Sequence, residues 1–270
     1  MIDERSLRIA LIGYGAIGQY VDNAMREDPQ CRISSVIVRP AKVKEVAERL
    51  GSAVQVTDAI DGLTERPDLV VEVSSHSGLQ DHGYTALRAG YRLLVVSVGA
   101  LADDTLRTAL TAAAKYGDGV AMIAPGAIGG VDALAAARQG GLDWVRYTSR
   151  KPPGAWKGTP GEALCDLDAL TEAFVLFEGP ADLAARTYPK NANVAATIAL
   201  AGIGFEQTAV QVIADPSASG NIHEIEAVGA FGRLTISLEG RPLSENPKTS
   251  SLTAYSVLRA IHNETAQIHI

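Results

Sequence analysis

Residues able to do chemistry are concentrated in a few short stretches of the 270-residue chain. Near the N-terminus, Gly13, Gly15 and Gly18 follow the apolar run Ile9 to Ile12 and precede a helix-compatible segment. Each glycine has a physical task in a turn that receives a pyrophosphate. Gly13 permits a tight exit from a strand, Gly15 lets a phosphate approach the backbone, and Gly18 lets the helix pack on the strand. The N–H groups of Ala16, Ile17 and Gly18, at the positive end of that helix, are then the phosphate donors. A different chemistry is offered by Asn221-Ile222-His223-Glu224-Ile225-Glu226. Strand alternation there puts His223 on one face with Asn221, Ile225 and Ala227, opposite Glu224 and Glu226. A histidine so placed is either a proton-transfer group or a satisfied sheet residue.

Two more stretches carry concentrated polar groups. Tyr188 to Ala196 begins a helix with Lys190, Asn191 and Asn193 at its start, which suits an anion or a carboxamide; a plain Asn cap has the same pattern. Asn246 to Ser250, with Lys248 and Thr249, is a carboxylate cradle or only the cap of the last helix. Lys190, Asn221, Lys248 and Thr249 are therefore the substrate-side candidates. The histidines show no ligand spacing with cysteines or carboxylates, so no metal site is expected. No Ser-His-Asp or Cys-His set is legible from order alone.

These groups need elements to position them. Apolar strands Ile33 to Val38, Leu69 to Val73, Leu93 to Val98 and Val120 to Ile123 alternate with helical segments Ala16 to Arg26, Val43 to Leu50, Gly78 to Ala89 and Asp103 to Lys115. Asp103-Asp104 supplies a cap and a dipole partner for the last of these. Continuous apolar strands alternating with helices predict a parallel sheet covered on both faces. Ligands of such sheets sit beyond the carboxyl ends of the strands. That rule singles out Ser74, Ser75 and His76, then Ser97 to Ala100, then Ala124 to Gly129; ordinary loop chemistry is the competing reading for each. His76 and His82 are possible cofactor contacts or plain polar residues.

Beyond Ala124-Pro125-Gly126 the pattern changes. One more helix is expected over Ala127 to Arg138, then a strand over Trp144 to Arg150. Lys151-Pro152-Pro153-Gly154 reads as loop chemistry. Strands over Phe174 to Phe177, Val210 to Ile213, Ile222 to Val228 and Leu234 to Leu238, interrupted by helices Ala181 to Thr187 and Ala192 to Ala201, predict a mostly antiparallel sheet. Ser251 to His262 has helical spacing, with Leu252, Tyr255, Leu258 and Ile261 on a stripe. The expected fold is α/β: an N-terminal Rossmann parallel sheet over 1–130, plus a C-terminal α+β domain with a mostly antiparallel sheet over 131–245. The segment 246–270 is expected to pack back on the first domain.

Composition narrows the class. A 47% hydrophobic content supplies an ample core, and 24 Lys+Arg against 31 Asp+Glu give a net charge of −7 with no long basic tract. A nucleic-acid partner gains no support from this. Two cysteines, Cys31 and Cys165, do not form a disulfide framework in a chain this long. The N-terminus is too charged and its apolar run too short for a signal peptide, and no stretch has membrane-spanning length. A cytoplasmic protein with a small-molecule substrate, no membrane partner and a homo-oligomeric state, a dimer, is the expectation. As for the dinucleotide, a Rossmann unit that prefers NAD usually ends its second strand on an acid. Here Ser35 to Val38 ends at Arg39, with Lys42 and Lys44 close behind. Arginine there pairs with a 2′-phosphate or stacks on adenine, or else these cations are a solvated helix start. NAD or NADP, with dual use, is the expectation.

Taken together, Gly-Tyr-Gly-Ala-Ile-Gly, Ser97-Val98-Gly99-Ala100-Leu101, Pro125-Gly126-Ala127-Ile128-Gly129, Tyr188 to Ala196, Ala214-Asp215-Pro216, Asn221-Ile222-His223 and Asn246 to Ser250 resemble, in the same order, the L-aspartate dehydrogenases. The resemblance runs over essentially the whole chain. It implies NAD(P)-dependent oxidation of L-aspartate to iminoaspartate, which feeds de novo NAD synthesis through quinolinate. It also implies roles: His223 matches the family's active-site histidine, and Ala127 and Asn193 match its cofactor-binding alanine and asparagine. A homoserine dehydrogenase-like oxidoreductase and a non-catalytic dinucleotide sensor are the alternatives.

Overall fold

Strand β1 (Leu7–Ile12) is built from LRIALI, and Ile9 to Leu11 are wholly excluded from water. It lies inside a six-stranded parallel sheet with β2 (Cys31–Ile37), β3 (Gln55–Thr57), β4 (Leu69–Glu72), β5 (Arg92–Val95) and β6 (Val120–Ile123), in the order β3-β2-β1-β4-β5-β6. This is the doubly wound Rossmann order, with its topological switch between β1 and β4. Helices α1 (Ala16–Met25), α2 (Val43–Leu50), α3 (His76–Arg88) and α4 (Asp104–Gly117) make the crossovers. The Asp103 carboxylate caps α4, accepting from the N–H groups of Thr105 at 2.9 Å and Leu106 at 3.3 Å. The computed structural model describes residues 6–189, 192–244 and 246–269, with the side chains of Pro247 and Lys248 also outside the description.

The chain divides into two units. The first runs to Gly126 and takes in Ser244–Thr249 and the chain from Thr253 onward; the second is Ala127–Leu243 with Ser250–Leu252. The second unit holds α5 (Val131–Gln139), β7 (Leu142–Lys151), β8 (Phe174–Pro180), α6 (Ala181–Thr187), α7 (Ala192–Ala201), β9 (Ala209–Ala214), β10 (Asn221–Gly229) and β11 (Gly232–Gly240). Its five-stranded sheet runs β11-β10-β7-β9-β8, antiparallel throughout except where β7 lies parallel to β9. The expected mostly antiparallel sheet is present, and the parallel pair is its addition.

Two local expectations need correction. The helix expected from Ala127 starts only at Val131, because Gly126 and Gly130 both take φ of +72°, outside helical space. A Cβ at Gly130 would also overlap the Ile236 side chain. At the other end, β12 (Pro242–Leu243) and β13 (Asn246–Ser250) precede α8 (Ser251–Asn263), so Asn246 to Ser250 is a strand and no simple helix cap. On α8 the buried face is Ala254, Val257 and Ile261, whereas Tyr255 is 48% exposed. Leu258 is partly buried against the core of the first unit, and the Tyr255 ring centroid lies 5.9 Å from that of Tyr20. Val257 and Ile261 join Ile9, Leu11, Val71 and Leu94 in the core of the first unit. Arg92 to Glu264 at 2.7 Å and a Gly126 N–H to Ser256 Oγ bond of 3.2 Å fasten the helix further.

Candidate active site

In the first unit the three glycines differ in what a side chain would meet. Gly13 has φ of +99°, and a Cβ there would lie 2.6 Å from Ser74 Cβ in the loop after β4. At Gly18 a Cβ would lie 2.7 Å from the Gly13 carbonyl oxygen, so this glycine sets the approach of α1 to the turn. Gly15 is different: nothing lies within 4 Å of its hypothetical Cβ. It faces a cavity of about 550 Å³ lined by Gly13, Tyr14, Gly15, Arg39, Ser74 and His82 among others. Gly15 is also the N-cap of α1 and brings no side-chain cap, which leaves the first-turn N–H groups of Ala16, Ile17 and Gly18 for a ligand. The space a Cβ would fill and the uncapped helix start fit a pyrophosphate.

Cations gather at the β2 end of this cavity. Arg39, Lys42 and Arg49 line it together with Glu45. Lys42 is engaged by Glu45 at 2.6 Å, and the Arg49 guanidinium sits 5.6 Å from the Tyr14 ring centroid. Arg39 is exposed and, among the described residues, takes part in no ion pair. Tyr14 donates to the buried Asp22 carboxylate at 2.6 Å; burial first, then this bond, raises its phenol above the usual range. Of the two histidines nearby, His82 lines the cavity; His76 opens α3 and is absent from the lining.

A residue that the motifs did not single out organises the loops beside the cavity. Glu72, fully buried at the end of β4, accepts from the Ser74 N–H at 2.9 Å and hydroxyl at 2.8 Å. It also accepts from the Ser97 N–H at 2.9 Å, its hydroxyl at 2.8 Å and the Val96 N–H at 3.3 Å. One carboxylate thus ties the loop after β4 to the loop after β5. The signal in the sequence was an acid closing the apolar run Leu69-Val70-Val71, which burial makes expensive unless several donors surround it.

The second unit supplies the proton chemistry. His223 lies on β10 and is only 6% exposed, with Ile225 and Ala227 buried on the same face. The antiparallel register sets it opposite Ser149 of β7, and Ile225 opposite Tyr147. Tyr147, itself 1% exposed, brings its hydroxyl 2.8 Å from His223 Nδ1, and the rings are nearly parallel at 6.0 Å. Burial, followed by the nearby Lys151 charge, lowers the imidazole to about 4, so the ring is neutral at pH 7. Burial raises the Tyr147 phenol, with a Ser149 hydrogen bond pulling the other way, and keeps it protonated. The Tyr147 hydroxyl can donate to Nδ1 or accept from it. In the first case His223 presents an Nε2–H, in the second an Nε2 lone pair. One hydrogen bond therefore leaves the neutral ring with either a donor or a basic lone pair at Nε2.

This burial has a measurable cost. The unfolded histidine keeps a pKa near 6.5, so between pH 6.5 and 4 the unfolded chain binds the extra proton and stability falls as pH falls. By pH 5 the His223 contribution should be a loss of about 2 kcal/mol. Urea midpoints measured at pH 7 and pH 5 should converge in His223→Gln relative to the parent; an equal drop in both proteins would show that His223 is not buried in its neutral form.

Asn221 opens β10 on the His223 face and is half-buried. Ala127 follows Gly126, and Asn193 is exposed in the first turn of α7, where its carbonyl accepts from the Thr197 hydroxyl at 3.0 Å. Thr249 lies half-buried on β13. Lys190 and the Lys248 side chain lie outside the described residues. The carboxylate of Asp215 accepts from the Ser217 N–H, the Ser217 hydroxyl and Arg150, which makes it a turn and sheet fastener. Among the described residues no group of histidines, cysteines and carboxylates is arranged to hold a metal, and no helix is long and apolar enough to cross a membrane.

Residues 132–264 match the family model "Aspartate dehydrogenase, C-terminal", and residues 13–122 match "Homoserine dehydrogenase, NAD binding domain". The L-aspartate dehydrogenase of Pseudomonas aeruginosa is 50% identical over 98% of this chain and 100% of its own length. That of Cupriavidus necator is 48% identical over the same shares. Among solved structures, the aspartate dehydrogenase of Thermotoga maritima superposes with a TM-score of 0.77 at 26% identity, covering 98% of this chain and 99% of that one. A hyperthermophilic archaeal homoserine dehydrogenase shares the fold, with a TM-score of 0.61 at 12% identity over 97% of this chain and 98% of its own.

Proposed function

This chain belongs to the L-aspartate dehydrogenase family, and from that premise we propose that it oxidises L-aspartate to iminoaspartate with NAD or NADP. The observation that carries the reading is the presence, in one chain, of a pyrophosphate-shaped glycine cradle and a buried neutral imidazole held by a tyrosine. The dinucleotide supplies, when bound, the acceptor for the hydride on the substrate Cα. Gly15 and the first turn of α1 would hold its pyrophosphate, and Arg39 and Ser74, which line the same cavity, would be its further contacts. Ala127 and Asn193 are assigned to the cofactor on the family match alone.

An amino acid gives up hydride only from its unprotonated amine. His223, which carries a lone pair on Nε2 when Nδ1–H donates to Tyr147, takes the proton that the substrate ammonium loses. The neutral state favoured by burial keeps that lone pair available at pH 7. Asn221, on the same strand face, is a donor and acceptor for the substrate. Lys190, Lys248 and Thr249 are further candidates for its carboxylates. Iminoaspartate hydrolyses to oxaloacetate and ammonia unless a second enzyme captures it, and capture into quinolinate, toward NAD, is the fate that fits the family.

A homoserine dehydrogenase-like activity is favoured by one observation, the family match of residues 13–122. That match covers the dinucleotide-binding part, so it bears on the cofactor more than on the substrate. A spectrophotometric assay separates the two. Aspartate should yield reduced dinucleotide and homoserine none; the reverse result overturns the reading, and binding without turnover of either would make the protein a sensor.

Cofactor choice has its own test. Arg39→Asp replaces a 2′-phosphate partner with a repelling charge, and should raise the NADP KM about 10- to 100-fold with NAD little changed. Equal effects on both dinucleotides would show that Arg39 does not meet the 2′-phosphate.

A further inference from the structure

We propose that Lys151 is the residue that fixes a carboxylate of the substrate beside His223, a role that rests on a dicarboxylic amino acid being the substrate. Lys151 is the last residue of β7, two and four positions beyond Ser149 and Tyr147, so all three share one face of the strand. His223 stands opposite Ser149 on that face. The register pairs Ile222 with Arg150, and its next step brings Asn221 level with Lys151. Asn221, His223, Tyr147 and Lys151 therefore form one polar patch at the end of the two strands.

Its position on that patch is fixed. The Lys151 ammonium lies 5.1 Å from the ring centroid of Trp156, which is fully buried and donates its indole N–H to the Ile213 carbonyl at 3.1 Å. Pro152 ends the strand directly after it. Burial lowers the ammonium to about 8, and its charge is felt at His223, where it further disfavours protonation. A cation kept in a partly desolvated place is stabilised by an arriving anion, and hydrogen bonds between ionised partners are the stronger ones. The same arriving carboxylate offsets the lysine's effect on the imidazole. A substrate anion at Lys151 thus makes His223 a better proton acceptor when substrate is present.

The chain contains only two tryptophans, Trp144 and Trp156. In a Trp144→Phe background, Trp156 reports on its cation. Titrating the full-length protein, saturated with oxidised dinucleotide, with succinate should give a saturable change in Trp156 emission. Succinate has two carboxylates and no amine to oxidise. Lys151→Met, which keeps the apolar stem, should weaken succinate and raise the aspartate KM about 10- to 100-fold, with melting temperature and dinucleotide Kd held. Lys151→Arg should restore part of the affinity. Should Lys151→Met fold poorly, Lys151→Gln serves for the same titration. Unchanged succinate affinity in the uncharged variants overturns the proposal, and so does a fall in kcat alone, which would make Lys151 a proton carrier. A parent protein that binds succinate through Lys151 yet does not oxidise aspartate would sink the proposed activity and leave the anchor standing.

Discussion

Replacement of His223 by alanine is expected to lower kcat for aspartate oxidation by about two orders of magnitude or more, the usual scale for losing a positioned acid–base group. The ring is neutral and buried, and its Nδ1 is occupied by Tyr147, so the change removes Nε2 chemistry together with a packed side chain. Dinucleotide Kd should hold, because the cradle belongs to the first unit. Melting temperature must be measured on the same preparation. A histidine with only a packing role gives a lower melting temperature with near-normal kcat in the folded fraction, and that result refutes the assignment. Tyr147→Phe offers a finer version. It keeps the ring and removes the hydroxyl, so it should lower kcat less than His223→Ala while leaving KM nearly unchanged.

The second large effect is expected at the glycine cradle. Gly15→Val should abolish dinucleotide binding with the fold retained. Its backbone, at φ of −81°, is open to any residue, and no atom lies within 4 Å of the added Cβ. The valine methyls would occupy space that the pyrophosphate requires. Gly13→Ala is the contrasting control. It places a Cβ against Ser74 at a left-handed position, so it should cost stability as well as binding. Calorimetry and thermal melts on both variants check the pair. Retained affinity in Gly15→Val would remove the phosphate from this turn.

Much of this arrangement was legible in the residues, for physical reasons that can be named. Apolar strand runs and helix periods are local signals, and Val43–Leu50, Val120–Ile123, Ala181–Thr187 and Ala192–Ala201 have the bounds their patterns predicted. The His223 face followed from alternation alone. What escaped depends on contacts distant along the chain. Tyr147 reaches His223 only because β7 and β10 pair across 76 positions. Lys151 sits in a Lys-Pro-Pro-Gly string that looks like loop, yet it closes a strand, because Pro152 ends the ladder only after it. Strand β3 is three residues long and carries too few alternations to register. Of the stripe expected on α8, Leu258 and Ile261 meet the core of the first unit, while Tyr255 lies on the exposed side.

The return of α8 also bears on how the protein is made. Ribosomal synthesis ordinarily lets an N-terminal domain finish first. Here the first-made sheet lacks two of its core side chains, Val257 and Ile261, until the last segment has emerged. The second unit, drawn almost wholly from Ala127–Leu243, has no such wait. Maturation should therefore run in reverse of synthesis, with the dinucleotide cradle acquiring its full support last. Pulse proteolysis of stalled nascent chains should find the second unit protected before residues 6–126. Protection of the N-terminal segment on chains ending before Ser251 would show that it is autonomous.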